Sequence, residues 1–343
     1  MEFNIQALKS ELSEKITHKI NTKTKPLGSL GKLESIALKI SEIQNTLTPK
    51  LINPTIIVCA GDHGVTEEGI SPFPQEVTFQ MVMNYLSGGA AINVFTKQNN
   101  IDLLLVDTGV NFDFESHPHL IDKKIAYGTK NFTKGPAMTQ KQCDKALNNG
   151  AGLVDELQKK GTNIIGFGEM GIGNTTAAAA LLCAYTGCTP NKAAGAGTGL
   201  DEKGIAHKAS VIEIALQLHK ELKDPMHILA ALGGFEMATI TGAMLQAAKY
   251  KMTIMIDGFI VTSALLAAYK INNNILDYCI FSHKSHENGH DLMLNYLQAE
   301  PILDLDMRLG EGTGSAVAYP IIESAIQFLN RMSSFEDAGV SNR

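Results

Sequence analysis

Short apolar runs that end in glycine and polar residues recur along this chain, and they constrain its fold more than any other feature. Residues 55–60 (TIIVCA) end in Gly61-Asp62-His63-Gly64, and residues 101–106 (IDLLLV) end in Asp107-Thr108-Gly109. Residues 163–167 (NIIGF) enter a glycine loop, residues 252–256 (MTIMI) end in Asp257-Gly258, and residues 278–281 (YCIF) end in Ser282-His283. These are runs rather than alternations, as strands buried on both faces of a parallel sheet require. Most are followed by small or polar residues and then a helical pattern, which makes an α/β layered domain. In open parallel sheets ligands bind beyond the carboxyl ends of the strands, where these Gly, Asp, His and Ser residues collect.

Residues 162–182, TNIIGFGEMGIGNTTAAAALL, hold the richest of these loops. A strand-like run passes through Gly168, Gly171 and Gly173, which free the backbone for tight turns and close ligand approach. Asn174-Thr175-Thr176 then opens an alanine-rich run of high helix propensity, with polar side chains suited to capping. The first N–H groups of such a helix are unpaired and favour an anion. Gly166, Gly168 and Gly171 also spell G-x-G-x-x-G, yet a dinucleotide fingerprint needs an acidic residue about 20 positions on. Gly187-Cys188-Thr189-Pro190-Asn191 supplies none, and Asn174 stands where a P-loop has lysine. A phosphate loop is therefore expected, and a dinucleotide loop is disfavoured. Glu169, inside the loop, would repel a phosphate unless it faces something else.

Bulk properties narrow the function. The chain has 343 residues, enough for one large domain or two. A formal net charge of −6, no Trp and 6% aromatics argue against nucleic acid as a partner. The N-terminus is a polar helical pattern without a signal-peptide core, and no apolar run reaches membrane-spanning length. Five scattered cysteines fit a reducing compartment. A cytoplasmic protein with no membrane contact is expected.

Elsewhere, spacing predicts helices over 3–20 and 29–47, joined by a basic turn carrying Lys23, Lys25, Pro26, Gly28 and Gly31. Pro72 and Pro74 hold a loop extended before a helix with Phe79, Met81, Met83 and Tyr85. That helix reads as core, or alternatively as an apolar slot for a planar ligand, with Ser71 and Gln80 as polar contacts. Residues 111–150 read as an irregular excursion and a loop entering a helix, with His117 and His119 on the surface. Gly195, Gly197 and Gly199 precede a helix carrying His207 and Lys208. In Arg308-Leu309-Gly310-Glu311-Gly312-Thr313-Gly314-Ser315, glycines flank Glu311 and leave its carboxylate free to project into a cleft. His286 and His290 have helical ligand spacing, but Gly289 argues against a regular helix there. Ser and His groups offered to phosphate or ribose are more economical than a metal site.

The segments KTKPLGSLG (23–31), AGDHGV (60–65), SPFPQEVTFQM (71–81), GFGEMGIGNTT (166–176), GAGTGL (195–200) and LDLDMRLGEGTGSA (303–316) together resemble the nicotinate-nucleotide:dimethylbenzimidazole phosphoribosyltransferases. These segments, in order, span nearly the whole chain. The resemblance implies a Rossmann-like parallel sheet with helices on both faces over residues 26–312. It also implies a small helical domain from residues 1–25 with 313–343, and a homodimer. It implies an inverting transfer of phosphoribose from nicotinate mononucleotide to 5,6-dimethylbenzimidazole, in assembly of the cobalamin nucleotide loop, with no cofactor and no metal. On matching positions, Glu311 is the general base and Glu169 helps orient the attacking base. Gly171, Gly173, Asn174, Thr175, Thr176, Lys208, Ser285 and Arg308 lie on the phosphoribosyl side, and Ser71, Phe73, Gln80 and Leu309 face the benzimidazole. The competing readings are a Rossmann oxidoreductase and a non-catalytic nucleotide-binding module.

Overall fold

The computed structural model describes residues 3–197 and 199–341. Thr198 of the GAGTGL segment, and the outermost residues 1–2 and 342–343 of the expected small domain, lie outside them. Helices α1 (Ser13–Asn21) and α2 (Lys32–Ile43) precede strand β1 (Thr55–Gly61). Helices α3 (Val77–Leu86) and α4 (Ala91–Gln98) lead to β2 (Asp102–Gly109) and the short β3 (Leu120–Asp122). Helix α5 (Gln140–Lys159) brings the chain to β4 (Ile164–Met170) and α6 (Asn174–Thr186). Then follow α7 (Pro190–Ala193), α8 (Glu202–Leu218), α9 (Pro225–Leu232) and α10 (Phe235–Lys249). The last third holds β5 (Thr253–Ile256), α11 (Phe259–Ile271), β6 (Cys279–Phe281), β7 (His283–Lys284), α12 (Asn288–Tyr296), β8 (Leu303–Asp304) and α13 (Thr313–Arg331).

Six strands form one sheet in the order β3-β2-β1-β4-β5-β6, every pairing parallel. This is the doubly wound order of Rossmann folds. Successive strand side chains point to opposite faces, and both faces are apolar here. Ile57, Cys59, Ile165, Phe167 and Ile254 enter a core roofed by α5, α6, α10 and α11. Ile56, Val58, Ile164 and Met255 enter a second core with Ile16 of α1, Ile36 of α2, Ile92 of α4 and Ile322 of α13. Unbroken apolar runs are the consequence. Helices α1 and α13 both pack on α2, and Lys23 bridges Ser334, so the two ends of the chain meet.

Two local expectations change and one holds. The first helix starts at Ser13 rather than residue 3. The carbonyls of Phe3, Ile5 and Gln6 instead accept bonds from Asn272, Asn274 and Tyr278 side chains at 3.0, 2.9 and 2.9 Å, while Phe3 and Ile5 are buried. Helix α12 begins at Asn288, so His286 precedes it and the two histidines share no helical face; Gly289 sits in its first turn, where a Cβ would stand 2.5 Å from the Phe259 ring. Close packing needs that glycine. Glu169 lies within β4, not in the loop after it.

Between β1 and β4 the connections diverge toward opposite edges of the sheet. The switch point, where open α/β sheets bind ligands, therefore lies at Gly61-Asp62-His63 and at Glu169-Met170.

Candidate active site

The loop before α13 is pinned against the end of β4. A Cβ on Gly168 would fall 2.3 Å from the backbone carbon and oxygen of Glu311, so the strand backbone touches the loop directly. Gly310, Glu311 and Gly312 are all left-handed, with φ of 82°, 64° and 84°. For glutamate this conformation costs roughly 1–2 kcal/mol, and it persists only where surroundings over-determine it. Asp257, at the end of β5, supplies much of that constraint. Its carboxylate accepts the Gly312 N–H at 3.2 Å and the Ser315 N–H at 3.0 Å, capping α13 from another strand.

Glu169 and Glu311 meet at this point. The Asn174 amide donates to Glu169 Oε2, and the Glu311 N–H reaches Glu169 Oε1 at 3.4 Å. Asn174 thus serves Glu169 and does not cap its own helix. Burial pushes the Glu169 carboxyl up to about 8, and the Glu236 carboxylate adds to the rise. That rise favours the neutral acid at pH 7. Burial also raises the Glu311 carboxyl; the Tyr85 hydroxyl draws it back down and Asp257 adds a smaller rise. Tyr85 Oη faces Glu311 from α3, although neither it nor Glu311 Oε2 makes a hydrogen bond of regular geometry, and both are buried.

The other side of the cleft is cationic. Thr175, in the first turn of α6, accepts from Lys208 Nζ at 3.2 Å, and the Gly195 carbonyl accepts from the same amine at 3.2 Å. Lys208 is 1% exposed, and burial lowers its ammonium to about 8 against the opposing pull of Glu287. Burial raises the Glu287 carboxyl, while Lys208 and Arg308 draw it down. In the first turn of α6 the Asn174 and Thr176 N–H groups donate to the Gly171 and Gly173 carbonyls, so a phosphate monoester here would rely on Thr175 and the two cations, helped by the helix dipole.

Phe73, Glu169, Gly171, Asn174, Thr175, Ser285, Arg308, Leu309 and Glu311 line one cleft of about 250 Å³. Phe73 and Leu309 are 48% and 56% exposed, forming an apolar lip. Lys208 stands behind Thr175. Gly173 and Thr176 do not line the cleft: Gly173 turns the chain into α6 with φ 99°, and Thr176 is packed inside. Ser71 and Gln80 are also outside the lining; Ser71 Oγ accepts the Phe73 N–H at 3.1 Å, which shapes that loop. Helix α3 buries Thr78, Val82 and Tyr85, while Phe79 stacks at 4.4 Å on Phe112 nearer the surface. A second cleft of about 300 Å³, lined by Lys32, Lys39 and Gln298, holds none of the predicted residues, and its lysines bond the Pro301 and Leu276 carbonyls.

Several residues at or behind the cleft escaped the sequence reading as functional: Tyr85, Asp257, Glu287 and the buried pair His63–Glu236, joined at 2.7 Å. For Asp257 the run-ending Asp-Gly was a signal; Tyr85 and Glu236 carried none. His290 is a core histidine, accepting the Ser285 N–H at 2.8 Å and meeting Thr262 Oγ1 at 3.0 Å. Among the described residues no cluster of three or more His, Cys, Asp or Glu is arranged to hold a metal.

A family model described as phosphoribosyltransferase matches residues 5–340. The chain is 52% identical to nicotinate-nucleotide–dimethylbenzimidazole phosphoribosyltransferase of Dechloromonas aromatica, over 99% of each chain. It is 49% identical to the protein of that name from Aromatoleum aromaticum, over 100% of each. The crystal structure of CobT from Thermus thermophilus superposes with a TM-score of 0.94 at 38% identity, covering 97% of this chain and 100% of that one.

Proposed function

The chain belongs to the DBI_PRT family of phosphoribosyltransferases, and from that premise we propose that it moves phosphoribose from nicotinate mononucleotide to 5,6-dimethylbenzimidazole. The products are α-ribazole 5′-phosphate, a precursor of the cobalamin nucleotide loop, and nicotinate. One observation carries this reading. Two buried acids, Glu169 and Glu311, line a single cleft with Thr175 of the α6 N-terminus and Arg308, and Lys208 stands behind Thr175.

The chemistry follows from the charges. Nicotinate leaves from a positively charged pyridinium, so departure needs no acid and no metal to neutralise a pyrophosphate. The attacking nitrogen becomes cationic unless its ring partner N–H gives up a proton. Glu311 accepts that proton, and a positioned general base contributes typically about 10²–10⁴-fold. Glu169, protonated at neutral pH, adds no second negative charge there and is free to orient the base. Phe73 and Leu309 cover the flat apolar ring. Lys208, Arg308, Thr175 and Ser285 hold the phosphoribosyl group, with Gly171 and Asn174 completing that wall. Gly173 and Thr176 shape the phosphoribosyl loop, and Ser71 and Gln80 face the base from the loop and helix beside Phe73. Alignment of two planar rings on opposite faces of the ribose gives inversion and much of the remaining acceleration.

The oxidoreductase reading loses its physical basis. Gly168 is spent against the Glu311 backbone, and a Cβ on Gly171 would lie 2.1 Å from the Gly61 carbonyl. Neither glycine leaves the opening that a pyrophosphate needs. We also infer a small helical domain from the two chain ends, supported by the Lys23–Ser334 bridge that joins them, and a cytoplasmic homodimer, supported by the family resemblance. No described helix is long and apolar enough to cross a membrane. The test is release of nicotinate from nicotinate mononucleotide, which must depend on the added base. Saturable NAD(H) binding without base-dependent release would favour the oxidoreductase instead.

A further inference from the structure

Helix α6 ends at Gly187, whose left-handed backbone (φ 76°) turns the chain back on the last helical turn. That turn brings Cys188 Sγ to 3.6 Å from Cys183 Sγ. A disulfide bond is about 2.05 Å long, so closure needs a sulfur displacement of only roughly 1.5 Å. Cys188 sits in a turn, between exposed Gly187 and Thr189, where such a displacement is tolerated.

The remaining cysteines make the contrast. Cys59, Cys143 and Cys279 are buried singly, and burial raises each thiol, Cys143 and Cys279 up to about 12. Cys183 is buried too, whereas Cys188 is partly open to solvent. The Cys183 thiol stabilises an ionised Cys188 sulfur by hydrogen bonding; the Thr186 side chain and the Lys192 charge act in the same direction, and the Cys188 thiol is lowered to about 7. Reactive cysteines have this character: partial exposure, a stabilised thiolate and a second thiol within reach.

We propose that Cys188 and Cys183 form a peroxide-reactive dithiol, with Cys188 as the attacking sulfur and Cys183 as the resolving one. The Cys188 thiolate attacks the distal oxygen of a hydroperoxide, the O–O bond breaks, and the alcohol or water leaves after taking up a proton. Cys188 is then a sulfenic acid. The Cys183 sulfur attacks it, the S–O bond breaks, and a second water leaves. Two thiols are oxidised by two electrons, and the peroxide is reduced. The site lies at the far end of α6 from Asn174, roughly 15–20 Å away at 1.5 Å per residue. It is separate from the transfer chemistry and does not rest on it. The oxidised turn leads through α7 to Gly195, whose carbonyl holds Lys208.

The test uses the full-length, reduced and desalted protein, treated with a slight excess of hydrogen peroxide and read by intact mass and peptide mapping. The expected result is a loss of about 2 Da, a Cys183–Cys188 cross-linked peptide, and reversal by dithiothreitol. Cys188→Ser, at a partly exposed turn, should fold normally and keep its mass. Cys183→Ala should stop at the sulfenic acid, a gain of about 16 Da trapped by dimedone. An unchanged wild-type mass, a permanent gain of oxygen on wild-type Cys188, or cross-linking that survives in Cys188→Ser would overturn the proposal.

Discussion

At the scale of single residues, the account rests on Glu311 held in a conformation that glutamate avoids. Substituting Glu311→Gln keeps the size and the backbone but removes the proton acceptor. Turnover should fall by about 10²–10⁴-fold, with nicotinate mononucleotide affinity within about threefold of wild type by calorimetry. Tyr85 moderates a rise in Glu311 that burial causes. Burial raises Glu311, the Tyr85 hydroxyl lowers it, Asp257 raises it, and the neutral Glu169 lies alongside. Activity should therefore fail on the acid side, as Glu311 takes up a proton above the ordinary glutamate range. Tyr85→Phe removes the lowering influence and should move that acid limb to higher pH. A uniform loss of rate with an unmoved limb would reduce Tyr85 to packing. Glu311 was legible in the sequence because its glycine neighbours left nothing else for a carboxylate to cover. Tyr85 was not, because a tyrosine on an apolar helix face looks the same whether its hydroxyl meets water or a buried carboxylate.

At the scale of elements, β4 and the loop before α13 act as one piece. Gly168 has no room for a methyl group, with Glu311 C and O at 2.3 Å and Gly312 N at 2.6 Å from a Cβ there. Gly168→Ala should push the loop off the strand, costing stability by roughly 1–3 kcal/mol and cutting kcat far more than nicotinate mononucleotide binding. Equal losses in kcat and binding would mean that the strand supports the whole cleft rather than the base. The main strands were visible as apolar runs, since two cores demand apolar side chains on both faces. Strand β3 was not, being three residues long and half exposed. Gly289 rightly cast doubt on a helix from His286, and its place in the first turn of α12 is fixed by Phe259 on another helix.

For the molecule as a whole, the parallel, doubly wound sheet brings residues from distant segments to one switch point and buries acid there. Glu169 titrates near 8 in the folded protein, against an ordinary value of 4.5. Between those values the native state keeps a proton that the unfolded chain has lost. Stability therefore falls as pH rises, by at most roughly 1.4 kcal/mol for each step of one in pH, and levels off above about 8. Glu236, Asp257 and Glu311 face the same carboxyl and deepen the effect. Glu169→Gln should flatten the decline of Tm between about pH 5 and 8; an unchanged slope would place the proton elsewhere. Sheet class and cleft position were readable from residue order. The strand order itself was not derivable from spacing, because it depends on which edge each crossover joins.

Proton NMR of the product distinguishes an inverting, metal-independent transfer from every alternative. With nicotinate mononucleotide, 5,6-dimethylbenzimidazole and EDTA present, free nicotinate and the α-anomer of ribazole 5′-phosphate should form in equal amounts. A β-anomer, or nicotinate accompanied by free ribose phosphate, would rule that transfer out.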